Sequence, residues 1–347
     1  MTLILEEFHH PADVPATFDP LFETGSTSSL FLSRDWFDLL ATKGLLADQT
    51  PLIITASKPD GEPLALFPGL MSGKHLTGMS NYYSLRFAPL LANDGGSAAL
   101  ESIARSIAAK GTPAVQMQPF AANDPSLAVT ERAFAAGGFR VSRFLSGTSH
   151  FLPSTDLTGA AYEQSLPSRL RNTIARRGAG SGVTFRLFSS QAEANEAMAF
   201  YESVYARSWK PGEPDPAFMP ALADLCGSRD SFRLGVLFYE DTPAAVQFWI
   251  VEGGRASVFK LAHDEAYASH SPGSALSLAM FKAILDRDKP DRIDFGIGDE
   301  GYKADWMPQT EPLIGLAGFN LRTARGRLQH LHHAAGRLIK RRNTSAP

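Results

Sequence analysis

Three short apolar runs, separated by tight turns and followed by a helical stretch, restrict the fold of this sequence more than any other feature. The runs are residues 233–239, 244–251 and 256–262, and each contains β-branched and aromatic residues. Runs of this length joined by tight turns predict an antiparallel meander. Residues 274–285 then predict a helix of about a dozen residues, and residues 292–295 predict a buried strand.

The first half of the chain repeats that order. Two runs at 51–57 and 63–71 flank a Pro-Asp-Gly turn, and a less regular extended segment continues to about residue 91. A helical stretch at 97–111 and a strand at 114–117 follow, and the triplet Gly-Ser-Ala lies at the start of the helix in both halves. The matched order predicts an internal duplication of one α/β unit.

The predicted fold class is therefore α/β (α+β). We expect two units, each with a mixed, mainly antiparallel, twisted sheet flanked by helices. A length of 347 residues agrees with two domains. The predicted domains are a first unit at residues 1–150, a second unit at residues 151–321 and a basic helical tail at residues 322–347.

The composition excludes several classes of protein. Because 33 Lys and Arg face 36 Asp and Glu, the net charge is only −3, which argues against a polybasic nucleic-acid binder and a disordered acidic chain. The single cysteine, Cys226, excludes an intramolecular disulfide framework, and its apolar neighbours predict a core position. No apolar run reaches the roughly 18 residues that cross a bilayer. Acidic residues stand where an export signal needs bases, so we expect a cytoplasmic protein.

Positive charge is concentrated at the end of the chain. No acidic residue follows Glu311, and seven Lys or Arg lie between Arg322 and Arg342. Apolar residues recur there at three- and four-residue steps, as in an amphipathic helix: Leu321, Ala324, Leu328, Leu331, Ala335 and Leu338. One interpretation is a helix whose apolar stripe lies on the protein's own acidic surface. The other is peripheral contact of residues 322–342 with a membrane surface or an anionic partner.

A second basic segment, residues 166–177, lies at the predicted domain junction. Its sequence, LPSRLRNTIARR, predicts a helix that ends at the glycines which follow. The segment contains Arg169, Arg171, Arg176 and Arg177. These arginines either form a solvated face or hold phosphate.

The helix start at residues 270–275, HSPGSA, is the segment that says most about chemistry. Unpaired N–H groups and the helix dipole form an anion site at a helix N-terminus, and Gly273 lets a pyrophosphate approach the backbone. Ser, Pro and Gly also begin ordinary helices. The segment is therefore consistent with a phosphate site or with a plain helix start.

His270-x-x-Gly273-x-Ala275 resembles the Q/R-x-x-G-x-G/A loop of the GNAT acyltransferases, with His in the first position. The order of meander, helix and strand is also similar to that family. Further features resemble its BioF2-like and FemAB-like (CelD-like) branch, in which one chain carries two GNAT-type units. These are the arginine-rich helix, the Ser-Pro-Gly triplet, and residues 201–209 and 293–303.

The resemblance implies that acyl-CoA, in the simplest case acetyl-CoA, is the co-substrate. It implies that the donor phosphates bind at His270, Ser271, Gly273, Ser274, Ala275 and Arg171. It further implies an amine acceptor, either a small molecule or a cell-envelope precursor, that attacks the thioester directly. Backbone N–H groups of the third meander strand would then stabilise the oxyanion.

Residues 295–301, FGIGDEG, contain a literal G-x-G-x-x-G after a strand. A Rossmann site is excluded because the segment opens no long helix and carries acids where pyrophosphate needs positive potential. We interpret it as a glycine-rich loop near the substrate. Asp294, Asp299 and Glu300 are candidate bases for the amine, or caps of turns. Tyr302, by resemblance, is the general acid for the CoA thiolate; a packed surface tyrosine is the alternative.

Four further residues are predicted to bind substrate: Trp209, Lys260, Asp264 and Lys303. Lys260 interrupts an apolar strand, and a buried lysine must pair with a carboxylate. The candidates for that carboxylate are Asp294 and Asp264.

We expect no metal site, because His330, His332 and His333 lack carboxylate partners at ligand spacing. The absence of a G-x-S-x-G motif disfavours a serine hydrolase. The prediction is a GNAT-type N-acyltransferase. Two alternatives remain open: a Fem-type transferase that takes an amino acid from aminoacyl-tRNA, and a non-catalytic module that binds a membrane or an assembly partner through its basic C-terminal helix.

Overall fold

The computed structural model describes residues 2–178 and 182–344. The chain forms two compact units, the first comprising Met1–Gly147 and Pro312–Pro347 and the second comprising Thr148–Glu311. Both contain a mixed, mainly antiparallel sheet flanked by helices. The predicted fold class is confirmed.

The first unit is built on one sheet of hydrogen-bonded strands. Its elements are β1 (Ile4–Phe8), α1 (Asp19–Ser28), α2 (Arg34–Lys43), β2 (Gln49–Ser57), β3 (Pro63–Ser72), β4 (His75–Gly78), β5 (Leu90–Leu91), α3 (Gly96–Ala109), β6 (Ala114–Ala121), α4 (Pro125–Ala136), the start of β7 (Arg140–Pro153), most of β13 (Gln309–Phe319) and α11 (Ala324–Thr344). The strand order is β1-β2-β3-β4-β6-β13, and β5 pairs with β3. Only β4 and β6 run parallel among these pairs. The helix α3 buries its apolar face on this sheet.

The second unit contains the predicted meander. Its elements are α5 (Gly159–Ser165), α6 (Ser168–Thr173), β8 (Val183–Phe188), α7 (Ala194–Ala206), α8 (Phe218–Ser228), β9 (Phe232–Tyr239), β10 (Thr242–Glu252), β11 (Arg255–His263), α9 (Pro272–Arg287), β12 (Arg292–Asp294) and α10 (Lys303–Trp306). The strands follow the order β12-β11-β10-β9-β8, with the end of β7 beside β12. The helix α9 packs its apolar face on this sheet, and full burial of each Leu, Ile or Phe contributes about 1.5–3 kcal/mol.

The strands β11 and β12 separate after a short parallel pairing. They pair from Arg255 with Arg292 to Ser257 with Asp294, and β12 ends there. The strand β11 continues to His263. Residues 258–263 therefore leave one edge of β11 without a paired strand within the described part of the second unit, next to the start of α9.

One predicted strand lies in the first unit rather than in the second. Residues 313–321 are predicted as part of the second domain, but β13 pairs with β6 of the first unit, from Leu313 with Ala121 to Phe319 with Ala114. An apolar run predicts a strand but does not specify the strand beside it. The predicted boundaries at 150 and 321 remain predictions.

The apolar stripe of the C-terminal helix α11 faces solvent, contrary to the interpretation that it lies on the protein's own acidic surface. Leu328 and Leu331 of α11 are 54% and 64% exposed, so the apolar stripe points to solvent. The opposite face carries His330 and His333, whose rings lie 5.4 and 5.2 Å from that of Phe319. The interpretation that the stripe covers the protein's own acidic surface is therefore wrong for the side chains that the structure describes.

Two other features bear on the excluded classes. Cys226 is fully buried in α8, and burial raises the pKa of its thiol to about 12. Among the described residues, no helix combines the length and apolarity that crossing a bilayer requires.

Candidate active site

A cavity of about 580 Å³ lies in the second unit, bordered by the end of β11, the start of α9 and the loop after β12. Its lining includes the residues that matter for chemistry: Trp209, Lys210, His263, Gly273, Glu300 and Tyr302. The cavity adjoins the part of β11 that has separated from β12. The separation of two parallel strands thus exposes backbone at the place where a substrate can enter.

The helix α9 begins without a capping side chain. Ser271 has a left-handed conformation (φ 53°), Pro272 has no N–H, and the N–H groups of Ser274 and Ala275 donate to the Ser271 carbonyl at 3.1 and 3.2 Å. A Cβ atom on Gly273 would meet only His263 Nδ1, at 3.4 Å. The positive end of the helix dipole is therefore accessible from the cavity.

Three of the predicted donor-binding residues line the cavity: Ser271, Gly273 and Ser274. Ala275 is instead part of the buried core. His270 is exposed and lies against Tyr239, with 5.3 Å between ring centroids. The described cavity lining does not include its side chain.

The arginine-rich segment forms α6, and Leu170 of that helix lines the cavity. Arg169 forms an ion pair with Asp305, with 2.6 Å between Nη2 and Oδ2. Arg176 donates from Nε to the carbonyl of Asn172 at 3.2 Å. Arg171 is exposed, has no ion pair among the described residues and is not part of the described cavity lining.

Tyr302 lines the cavity with its side chain about half exposed. Partial burial, together with the negative charge of Glu300, raises the pKa of the phenol to about 12. Its ring meets the edge of Phe295, with 6.0 Å between centroids. The phenol is therefore protonated at neutral pH and makes no hydrogen bond within the described part of the chain.

Glu300 and Lys303 form an ion pair at the base of the loop. The buried Lys303 ammonium lies 2.6 Å from Glu300 Oε2 and donates to the carbonyl of Ile297 at 3.3 Å. Burial opposes ionisation of Glu300, but the hydrogen bond and charge of Lys303 outweigh it and lower the pKa of the carboxyl. Gly298 has a φ of 133°, and a Cβ atom there would lie 2.6 Å from both partners. The positive φ favours glycine at this position, beside the ion pair.

The other two candidate carboxylates lie outside the described cavity lining. Asp294 is buried, forms an ion pair with Arg255 (3.0 Å between Nε and Oδ2) and accepts a hydrogen bond from the Gly296 N–H at 2.9 Å. Asp299 bonds to His150 Nε2 at 2.9 Å. Of the three carboxylates, only Glu300 lines the cavity.

Lys260 is largely buried, as its position in an apolar strand predicts, but its carboxylate partner is Glu213 rather than Asp294 or Asp264. The Lys260 Nζ lies 2.8 Å from Glu213 Oε1. Asp264 accepts from Arg207 Nε at 2.6 Å and from the backbone N–H of Ala266 at 2.9 Å. Burial opposes the charge of Asp264, and the Arg207 hydrogen bond outweighs it to lower the pKa of this carboxyl. Neither Lys260 nor Asp264 is among the lining residues.

Two cavity residues were not assigned a role from the sequence. His263 ends β11, and burial, reinforced by the charge of Lys210, lowers its pKa despite the opposing Glu265 and Asp264 carboxylates. Burial and the neighbouring Lys260 lower the pKa of Lys210 to about 8. The sequence indicates these two residues only by their location: His263 directly follows the third apolar run, and Lys210 directly follows Trp209.

The indole of Trp209 lies on the imidazole of His263, with 4.5 Å between ring centroids. Trp209, predicted to bind substrate, is therefore a wall of the cavity beside a titratable ring. The described residues contain no group of three or more His, Cys, Asp or Glu side chains arranged to hold a metal ion.

Residues 165–304 match the family model of the acetyltransferase (GNAT) domain. The match includes α6, the meander, α9 and Tyr302. A search of curated proteins found no significant match.

Three solved structures resemble nearly the whole chain. A tandem GNAT protein from the clavulanic acid biosynthesis pathway is 11% identical, covers 91% of this chain and 98% of its own, and has a TM-score of 0.51. FemX is 13% identical, with coverages of 94% and 99% and a TM-score of 0.56. The C-terminal domain of a protein described as a lysylphosphatidylglycerol synthetase of Agrobacterium fabrum is 14% identical, with coverages of 90% and 95% and a TM-score of 0.57.

At these identities the structures establish the fold. The sequence match is to a GNAT domain at residues 165–304, and the solved structures share the fold of the chain. The resemblance to the GNAT family that the sequence indicates is confirmed for residues 165–304.

Proposed function

We propose that the second unit transfers an acyl group, acetyl in the simplest case, from CoA to an amine acceptor. The observation that carries this proposal is that the uncapped start of α9 opens into the same cavity as a free phenol, Tyr302, and a histidine of lowered pKa, His263. An anion site, a proton donor and a proton acceptor are the groups that acyl transfer from a thioester requires.

The donor phosphates would bind at the start of α9. The N–H of Gly273 and the hydroxyls of Ser271 and Ser274 supply hydrogen-bond donors there. Because no side chain covers Gly273 within 3.4 Å, a pyrophosphate can contact the backbone directly. Arg171 is free to add a charge-assisted hydrogen bond.

The edge of β11 beyond Ser257 would receive the thioester. Its unpaired backbone groups can hydrogen-bond the carbonyl oxygen as it gains negative charge. The amine nitrogen then forms a bond to the carbonyl carbon, and the carbon–sulfur bond breaks to release the thiolate.

His263 is the base that the geometry favours. A base must be unprotonated at working pH yet able to bind the proton of an ammonium group, and a pKa somewhat below 6.5 meets both conditions. Glu300 is a weaker base, because Lys303 lowers its pKa below the ordinary carboxyl value. We therefore assign Glu300 and Lys303 to holding the loop that carries Tyr302.

Tyr302 would protonate the departing thiolate. With a pKa of about 12 the phenol keeps its proton until the thiolate forms. Its hydroxyl has no competing acceptor among the described residues.

A second donor is worth testing because the cavity borders a helix with unpaired guanidinium groups. Arg171 and Arg177 are exposed and make no ion pair within the described residues, and FemX shares the fold. An aminoacyl-tRNA could use them for phosphate contacts. Filter retention of bulk tRNA at low and high salt tests this candidate, and lack of retention at low salt rejects it.

The experiment for the main proposal is a thermal-shift titration with acetyl-CoA and CoA on the wild type and on Gly273→Glu. Ligand at a hundred times its dissociation constant stabilises the folded state by about 2.7 kcal/mol. We expect this stabilisation in the wild type and not in Gly273→Glu, because the new carboxylate fills and repels the phosphate site.

The matched control is Gly336→Glu, which adds the same side chain at an open position of α11. It should respond to both ligands as the wild type does. A wild type that responds to neither ligand would contradict CoA as the donor, and an equal response of Gly273→Glu would contradict the site.

A further inference from the structure

The helix α11 of the first unit has an unusual orientation for an amphipathic helix. Its apolar positions Ala324, Leu328, Leu331 and Ala335 are all exposed. They follow three- and four-residue steps and therefore form one continuous stripe. The inward face is polar or small and includes Gly326, Gln329, His330 and His333.

The inward contacts show that this orientation is specified by packing. A Cβ atom on Gly326 would lie 2.2 Å from the carbonyl oxygen of Asn320 and 2.7 Å from that of Pro113, so only glycine permits this approach. The rings of His330 and His333 lie on Phe319. Turning the leucines inward would break these contacts, so the stripe stays outside.

Among the described residues, the cavity that α11 borders offers the helix no acidic lining. That cavity has a volume of about 860 Å³ and lies in the first unit, and the lining contains no Asp or Glu. The charged and titratable lining residues are His75, Arg143 and His333. Within the described part of the chain, therefore, no acidic side chain of this cavity neutralises the positive charge of the helix.

Cations flank the exposed stripe. Arg325 donates to His75 at 2.8 Å and Arg327 to the carbonyl of Leu321 at 3.2 Å, yet both side chains remain exposed with further donors free. Seven Lys or Arg lie between Arg322 and Arg342, with no acid after Glu311. An anionic lipid surface has negatively charged phosphates above apolar acyl chains. The cations of the helix can therefore contact the phosphates while the apolar side chains between them contact the acyl chains.

We propose that the exposed stripe of α11 binds the surface of an anionic lipid bilayer, with Leu328 and Leu331 inserted among the lipids and the flanking arginines at the phosphates. A folded partner is disfavoured because a stable interface buries about 800 Å² on each side, and two leucines and two alanines offer much less. A bilayer needs no matching shape and recruits each apolar and each basic group separately. The proposal is independent of the acyl donor.

The test is co-sedimentation of the full chain with vesicles of phosphatidylcholine alone and of an equal mixture of phosphatidylcholine and phosphatidylglycerol. We expect binding to the anionic vesicles at low salt, weaker binding at high salt, and little binding to the neutral vesicles. Leu328→Gln/Leu331→Gln should lower the partition constant by about tenfold or more, because both leucines lose their apolar contact.

The matched control is Ile4→Gln/Leu46→Gln, which removes two exposed aliphatic side chains elsewhere in the first unit, 43% and 62% exposed. It should bind as the wild type does. Both double variants change exposed positions and should keep the wild-type melting temperature.

Three results would overturn the proposal. The first is that the wild type does not bind anionic vesicles. The second is that Leu328→Gln/Leu331→Gln binds them as well as the control variant does. The third is that the wild type binds neutral and anionic vesicles equally. A concentration-dependent dimer that only Leu328→Gln/Leu331→Gln abolishes, without vesicle binding, would assign the stripe to a second copy of the chain instead.

Discussion

The two units contain the same kind of helix start with opposite surroundings. In the second unit a Cβ atom on Gly273 would meet one atom, at 3.4 Å. In the first unit Gly96 begins α3 and is buried, and a Cβ atom there would lie 3.0 Å from the Leu64 carbonyl oxygen and from Leu91 Cβ. The segment that carries β5 closes the first helix start, whereas the second opens into a cavity.

The difference shows that the same order of elements can produce a helix start that is accessible, as in α9, or one that is covered, as in α3. The residues Gly-Ser-Ala are identical at the two positions. Accessibility depends on the segment before the helix, where Leu91 covers the first start and His263 only borders the second. This supports a structural role for the first unit and donor binding in the second.

The largest expected effect concerns the phenol in the open site. Tyr302→Phe removes the proton donor and should lower kcat about 10²–10⁴-fold, with little change in KM for the acyl donor. Steady-state kinetics measures both constants. The matched control is Tyr82→Phe in the first unit, an exposed tyrosine that should behave as wild type. Equal kcat for Tyr302→Phe and wild type would contradict the assigned role.

The next effect concerns the pH dependence. Because the pKa of His263 is lowered, the ring is neutral above that pKa, and activity should fall about tenfold per pH unit below it. The profile of kcat/KM for the acyl donor should therefore show an acid limb with an apparent pKa below about 6.5. His263→Gln should remove this limb and lower activity. Persistence of the limb in the variant would move the base to another group, with Glu300 the first to test.

The smallest expected effect is on stability, and it compares alanine substitutions at the two helix starts. Gly96→Ala should destabilise the protein by about 1–3 kcal/mol, because the added methyl group overpacks a closed helix start. Gly273→Ala should be close to neutral or slightly stabilising, because the position is open and alanine is the better helix residue. Denaturant unfolding of the two variants measures both values. Equal destabilisation would contradict the difference in packing.

Most of the elements of the second unit were predictable from local pattern. The three meander strands, the helix α9 and the strand β12 begin and end within about two residues of the predicted runs. Such elements follow from apolar periodicity and turn residues, which are local properties. The same holds for the Gly273 helix start, on which the family resemblance depends.

The composition of the cavity was less predictable. Asp294, Asp299 and Glu300 are close in sequence, yet Arg255 and His150 bind the first two and leave only Glu300 in the lining. Those partners are distant in sequence, so no local pattern identifies them.

By itself the sequence determined the order of elements, the duplicated unit, the position of the helix start at Gly273 and the concentration of positive charge at the C-terminus. The tertiary structure decided that Glu213 pairs with Lys260, that β13 joins the first unit, and that Leu328 and Leu331 face solvent. Periodicity identifies a face of a helix or strand. What covers that face depends on long-range packing, in which a single close approach, such as that of Gly326 to Asn320, can set the orientation of a whole helix.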